Sequence, residues 1–319
     1  MVKSQEISPA RRAAFRILQQ VETGAFSSVL LAVQESRLQP LDRALCHELV
    51  LGVLRWQLFL DKIVEHFSKR RVESLDAAVR IALRLGLYQL RFLTRIPSSA
   101  AVNESVSLVR AARLSSATAF VNAVLRRAVR EAEYDPTTDI SDPLEKLSIQ
   151  TSHPSWLIER WISSFGVDDA EAFARANNTV PPAAFRVVAN RANQSEILSR
   201  LSAAGAALES SDIVNGAWRV SRATSLLREM SSAGEIYLQD EASQLVAEVM
   251  EVKRGERVLD LCAAPGGKTL QIAAAGHATT ALDPETYGGA LNQVMNRTVV
   301  QSLSGVDAVV FVVEALHFF

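Results

Sequence analysis

Through residues 8–134 the apolar positions return every three or four places, the spacing of one face of an α-helix. "SPARRAAFRILQQVET" puts Pro9 at a first helical position, with Ser8 before it as N-cap and Ala14, Leu18 and Val21 on one face. "LDRALCHELVLGVLRWQLFLDKIVEHF" keeps the period through Leu45, Leu49, Val53, Trp56, Leu60 and Val64 and reads as a single helix, with Cys46 beside the stripe as a small apolar filler. "LDAAVRIALRLGLYQLRFL", "SAAVNESVSLVRAAR" and "ATAFVNAVLRRAVREAEY" repeat the pattern. An all-helical bundle is therefore expected over residues 1–134.

"DPTTDISDP", residues 135–143, cannot continue a helix and marks a linker. Beyond it "SWLIERWISSF" and "DDAEAFARANN" read as helices, and "AFRVVAN", "SEILSRLSAAG" and "GAWRVS" as short strands around a helix, a small α+β module over residues 144–234. From residue 235, "GEIYLQDEASQLVAEVM" turns from strand to helix, and "RVLDLC" is a buried strand. The fold class expected is α plus α/β.

Composition narrows this picture. A chain of 319 residues, 48% of them apolar, makes about two domains with sizeable cores. "MVKSQEISPARR" lacks a secretory apolar stretch, and nothing approaches the ~18 uncharged apolar residues of a membrane span, so a cytoplasmic chain without membrane contact is expected. Two cysteines, Cys46 and Cys262, exclude a disulfide framework and a Cys-rich metal site, and the scattered histidines read as structural or surface residues. Residues 1–134 carry 20 Lys/Arg against 12 Asp/Glu, net +8; residues 135–319 carry 14 against 23, net −9. A basic helical module is either an electrostatic footprint for nucleic acid or a solvated helix surface, and composition leaves both open. If it is a footprint, Arg80, Arg84, Arg91 and Arg95, with Arg126, Arg127 and Arg130, are the expected phosphate contacts.

The densest chemistry lies in "RVLDLCAAPGGKTLQIAAAGHATTALDPE", residues 257–285. GGKT suggests a triphosphatase loop, but G-x-x-x-x-G-K-[ST] needs a glycine where Cys262 stands. Pro265 also removes an N–H from a loop that would present N–H groups to phosphates. What remains is strand, glycine turn, helix and second strand "TTAL", with Asp283 beyond its end. That is the plan of a nucleoside site at the mouth of a Rossmann-like parallel sheet, and Asp283 is placed to accept both ribose hydroxyls of an adenosyl group.

"DLCAAPGGKT" followed by "ALD" resembles the S-adenosylmethionine loop of the RNA cytosine-5 methyltransferases. "QDEASQLVAEVM" resembles the segment that precedes that loop, and "SHPSWLIERW" the family's approach to its middle module. Residues 8–134 look like the NusB-type RNA-binding domain of the RsmB (Sun, Fmu) family, which acts on 16S rRNA. The resemblance covers about residues 8–285. It implies a NusB-like bundle, the α+β module and an incomplete methyltransferase sheet over residues 235–285. It also puts Cys262, Ala263, Ala264, Pro265, Gly266, Gly267 and Lys268 around the methionine and ribose of S-adenosylmethionine, with Asp283 on the ribose. The partner implied is 16S ribosomal RNA, and a monomer is expected.

The family's chemistry requires a cysteine thiolate to add to C6 of cytosine, the enamine to take the methyl group at C5, and a base to remove the C5 proton and expel the thiol. In the family that cysteine sits in D-A-P-C or T-C-S segments, and neither occurs here. No catalytic residue is therefore assigned. After "ALDPE", residues 286–319 resemble a segment of an Era-type assembly GTPase without its phosphate loop or N-K-x-D; the expectation is a truncated or fused chain with a junction near residues 284–289, and an open sheet edge at "AVVFVV". Two readings stay open: a 16S rRNA cytosine-5 methyltransferase by descent, incomplete in this chain, or a non-enzymatic RNA-binding remnant.

Overall fold

The computed structural model describes residues 7–281, except 36, 190, 223, 254, 261, 262, 264, 265 and 277, together with residues 308–310. Two compact units divide it, Met1–Thr179 and Val180–Phe319.

The first unit is helical among its described residues: α1 (Pro9–Val21), α2 (Ser27–Glu35), α3 (Pro40–Arg55), α4 (Gln57–Ser68), α5 (Ala77–Phe92), α6 (Ser98–Ala111), α7 (Thr118–Arg130), α8 (Pro143–Thr151), α9 (Ser155–Phe165) and α10 (Val167–Asn177). Its centre is α5, in which every residue from Ala78 to Gln89 except Arg80 is buried. Such a helix has no polar face to give to solvent, and its neighbours supply the apolar lining: Leu49 and Val53 of α3, Leu60 and Val64 of α4, Val102 and Leu108 of α6, Val121 and Leu125 of α7. Two glycines permit the tightest approaches. A Cβ on Gly52 would lie 2.0 Å from Tyr88 Cζ, and one on Gly86 would lie 2.7 Å from Leu125 Cδ1. Asp76 caps α5 by accepting from the Ala78 N–H at 2.8 Å. Ser8 stands at the start of α1 but makes no side-chain cap bond; its hydroxyl accepts from Arg11 instead.

The segment read as one helix is two. The chain breaks at Trp56, with φ −103° and ψ 19°, and resumes as α4. Periodicity cannot see the break because Leu60 and Val64 stay in phase with Leu49 and Val53. The indole stacks on Phe92 with ring centroids 4.8 Å apart and meets Phe59 edge-on, so its packing accompanies the turn. Residues 135–143 are tied down: Asp135 accepts from the Thr137 N–H and hydroxyl, and Thr137 is buried. Helices α8–α10 group with the bundle, where Ser152 Oγ accepts from the Leu58 N–H at 2.9 Å and Lys62 meets Glu145 at 3.6 Å. His153 is buried against Asn177 and Trp161, and burial lowers its pKa.

The second unit opens with β1 (Ala183–Val187), α11 (Gln194–Ala203), β2 (Ala207–Ser210), β3 (Ala217–Ser221), α12 (Thr224–Ser232) and β4 (Ile236–Leu238). The sheet order is β2-β3-β1-β4, all antiparallel, which with the β-α-β-β-α-β chain order is a ferredoxin-like arrangement. Phe185, Ile197, Leu201, Val220, Leu227, Met230 and Ile236 fill its core. Next come α13 (Glu241–Val249), β5 (Arg257–Asp260), α14 (Gly267–Ala274), β6 (Ala278–Ala281) and β7 (Ala308–Val310). β5 is central in a parallel sheet ordered β6-β5-β7. Residues 308–310 pair with β5 in parallel register beside Val258–Asp260, and β7 ends the strand order among the described residues. The class is mixed, a helical bundle followed by α+β and parallel α/β parts.

Gly52→Ala is predicted to destabilise the protein by about 2–3 kcal/mol, since Tyr88 must leave its packed position. Urea denaturation followed by circular dichroism measures it; a loss below about 0.5 kcal/mol would contradict the packing described.

Candidate functional site

In the parallel sheet, β5 ends on Asp260, 1% exposed, whose Oδ2 accepts from the Thr269 hydroxyl at 2.7 Å. Thr269 lies in the first turn of α14, so this bond fastens the helix to the strand that feeds it. Gly266 precedes α14 with φ +102°, a left-handed conformation that favours glycine. Gly267 is buried, and a Cβ there would come within 2.9 Å of Tyr237 Cε1 and 3.2 Å of Gln239. Ala263 and Lys268 are half-buried nearby in sequence. Cys262, Ala264, Pro265 and Asp283 lie outside the described residues. Of the expected cofactor set, then, Ala263, Gly266, Gly267 and Lys268 can be placed, on the strand–turn–helix path that the sequence indicates.

"QDEASQ" forms the wall beside this turn. Asp240 caps α13 by accepting from the Ala242 N–H at 2.9 Å. Gln244, 1% exposed, donates to the Gln239 carbonyl at 2.8 Å, while its own carbonyl accepts from Gln271 of α14 at 3.1 Å. Oε1 of Gln239, of Glu241 and of Gln271 are buried acceptors without a partner among the described residues. Buried acceptors without a partner among the described residues can receive further donors. Sequence reading assigned no role to individual residues of this wall or to β1; only the β1–β4 register reveals the latter's nearness to Gly267.

The arginines of the bundle fall into two groups. Arg84 is buried and donates to Asp61 at 2.7 and 2.8 Å and to Glu22 at 2.8 Å. Burial raises the Asp61 pKa, and the Arg84 guanidinium opposes that shift. Arg80 makes a two-pronged pair with Glu22. Arg91 donates to the carbonyls of Ala132 and Tyr134. Arg127 pairs with Glu131 at 2.8 Å and lies over the Phe67 ring. By contrast, Arg95 and Arg130 are exposed without a partner among the described residues, and Arg126, also exposed, spends only Nε, on Asn122. Arg126 and Arg130 line a groove of about 330 Å³ with Ser98, Ser99 and Asn103. Arg12, Arg16 and Arg37 line a second groove of about 480 Å³ beside α1, which sequence reading did not single out.

Cys46 is fully buried, and burial first, then Asp42, pushes its thiol up to about 11, so it offers no thiolate at neutral pH. Among the described residues no group of His, Cys, Asp and Glu is arranged to hold a metal ion, and no helix is long and apolar enough to cross a membrane.

The class these features define is a helical domain joined to a ferredoxin-like one: residues 8–130 match the NusB family, and residues 153–226 match the Methyltr_RsmF/B-like ferredoxin-like domain. The protein named probable ribosomal RNA small subunit methyltransferase B of Bacillus subtilis (strain 168) is 35% identical over 252 residues, 78% of this chain and 56% of that relative. Ribosomal RNA small subunit methyltransferase B of Pseudomonas putida is 36% identical over 271 residues, 82% of this chain and 59% of the relative. The chain belongs to the ribosomal RNA small subunit methyltransferase B family, and it spans somewhat over half the length of these relatives. The crystal structure of PH0851 superimposes with a TM-score of 0.66 over 96% of this chain at 22% identity, covering 70% of that chain, which bears on the fold. The likeness of residues 286–319 to an Era-type GTPase falls outside the described residues except at β7.

Arg84→Met is predicted to lower stability by about 3–5 kcal/mol, because Glu22 and Asp61 would stay partly buried with a partner lost. Arg95→Ala should change it by less than about 0.5 kcal/mol. Denaturant melts of the two variants check this, and equal effects would contradict the division into structural and free arginines.

Proposed function

We propose that this chain is the RNA-binding and cofactor-loop portion of an S-adenosylmethionine-dependent methyltransferase acting at C5 of a cytosine in 16S rRNA. The observation that carries the reading is the parallel β5–glycine turn–α14–β6 unit, with Asp260 at the strand end and Gly266 in a left-handed conformation at the head of the helix. Those features fit a nucleoside cofactor approached closely by backbone, and the buried acceptors of Gln239, Glu241 and Gln271 fit a ligand rich in donors. In this reading Cys262, Ala263, Ala264, Pro265, Gly266, Gly267 and Lys268 surround the methionine and ribose, and Asp283 accepts the ribose hydroxyls. S-adenosylmethionine supplies an electrophilic methyl group on a sulfonium. The chain's own work is to hold the glycine turn open, to keep α14 fastened to Asp260 through Thr269, and to bind RNA through the bundle.

The covalent step needs a thiolate beside the cytosine. Cys46 is buried in the bundle with a raised pKa, and Cys262 belongs to the cofactor loop by family pattern, so the reading assigns neither to catalysis. Residues 1–319 alone are therefore expected to bind without turnover. The names of the relatives favour a methyltransferase over a binding module with no link to methyl transfer. The protein is read as a cytoplasmic monomer with no membrane contact. Phosphate contacts fall to the exposed arginines Arg95, Arg126 and Arg130, with Arg127 supporting them at the same helix end. Arg80, Arg84 and Arg91 contribute by holding the bundle in shape.

Two measurements test this. Calorimetric titration with S-adenosylmethionine should give binding to the wild type, and Asp283→Ala should weaken it by at least about tenfold, the effect of leaving ribose hydroxyls unpaired. Equal affinities would sink the cofactor assignment. For RNA, replacing Arg95, Arg126 and Arg130 together by Ala should flatten the salt dependence of 16S rRNA fragment binding by roughly one unit of log–log slope per lost phosphate contact; an unchanged slope would remove these residues from the interface.

A further inference from the structure

One half-buried cation stands beside the glycine turn with no carboxylate partner among the described residues. Arg186 on β1 is directly opposite Tyr237 on β4, so both side chains stand on one face of the antiparallel sheet. Its guanidinium lies 5.1 Å from the centre of the Tyr237 ring, and Nη2 donates to the Gly267 carbonyl at 3.4 Å. Nε is buried with no partner, and no carboxylate pairs with Arg186 among the described residues. Burial lowers its pKa. A guanidinium that served packing alone would be poorly placed here, because a cation beside the first residue of a helix opposes the helix dipole.

Packing holds the same turn as well. Gly267 packs so closely on Tyr237 and Gln239 that a methyl group would collide with both. Helix α14 has eight residues, too few to be stable alone, and Gly266 at its start carries no side chain to cap it. Its starting point must be set by tertiary contacts, and the carbonyl of its first residue is where Arg186 makes contact.

We propose that Arg186, backed by the Tyr237 ring, is a positioning residue for the cofactor loop: it fixes the Gly267 carbonyl and thereby sets where the Gly266–Gly267 turn presents its backbone. The inference rests on the cofactor reading of that turn. It names a connection by which the ferredoxin-like sheet governs cofactor affinity without touching the cofactor.

The test uses the 319-residue chain with Arg186→Met, Arg186→Lys, Gly267→Ala and the Arg186→Met/Gly267→Ala double variant. S-adenosylmethionine affinity is read by calorimetry, and backbone hydrogen exchange is read without ligand. Arg186→Met should weaken binding about tenfold, the effect of losing a hydrogen bond from a charged donor. It should also speed exchange at Leu270–Ala274 while β2 and β3 keep wild-type protection, and Arg186→Lys should restore part of both. Losses for Arg186→Met and Gly267→Ala should be less than additive in the double variant, because both act on one turn. Wild-type affinity in Arg186→Met, or fully additive losses, would overturn the proposal. Accelerated exchange across β1–β4 as well as α14 would reduce Arg186 to a general structural role and also overturn it. If the wild type takes up no S-adenosylmethionine, the cofactor reading falls, and the exchange measurement alone decides the clamp: selective loosening of α14 sustains it, and unchanged exchange refutes it.

Discussion

Helix α5 has almost no solvent face, and the first unit is arranged around that constraint. A helix buried along its length must either exclude charge or neutralise it, since an unpaired ion in an apolar interior is far costlier than a paired one. This helix carries arginines, and Arg84 is matched from two sides, by Glu22 at the end of the first helix and by Asp61 on the fourth. Arg80 shares Glu22 at the surface end of the same network. Nearer the start of α1, Arg11 repeats the device, bonded to Gln89 of α5 and to Glu104 of α6. The ion pairs thus neutralise the charge that burial would leave exposed to an apolar interior, and they link α1, α4 and α6 to the central helix or to one another. They also decide which arginines remain for a partner.

In the second unit the equivalent constraint is the absence of a side chain at Gly267. The close approach of α14 to β4 relies on it, and three separate elements meet α14 at or near this turn: β1 through Arg186, β4 and its end through Tyr237 and Gln239, and α13 through the Gln244 carbonyl that accepts from Gln271. The Arg186 and Gln271 ties run from a side-chain donor to a backbone carbonyl, while Tyr237 and Gln239 act by packing on Gly267. Such ties fix the path of the main chain while leaving side-chain identity free elsewhere in the helix.

Much of this was legible in the sequence, for reasons that also explain the rest. The helices and the small antiparallel module show in the 3.6-residue and two-residue periods, because burial on one face imposes them. The strand–turn–helix shows because glycine is favoured by the left-handed N-cap at Gly266 and by the contact at Gly267. The break at Trp56 did not show, since the apolar stripe runs through it in phase. Net charge could not separate Arg84 from Arg95, as both are arginines in a basic module; what differs is the distance to Glu22 and Asp61, residues far away in sequence. Arg186 was invisible for the same reason, because its meaning lies in a cross-strand register with Tyr237.

Among the described residues the apolar cluster beneath the candidate cofactor turn is small. It holds Val258 and Ile272, with Val246, Ala247, Met250 and Val252 packed against them, whereas the ferredoxin-like sheet beside it has a fuller core of its own. At about 25 cal/mol per Å² of buried apolar surface, a cluster of that size stabilises little more than the ordering of the residues that form it. Polar ties to a better-packed neighbour add to this support. A loop held in this way can be exact in position while remaining low in local stability, and changes on β1 or β4 reach the loop more readily than its distance in sequence suggests.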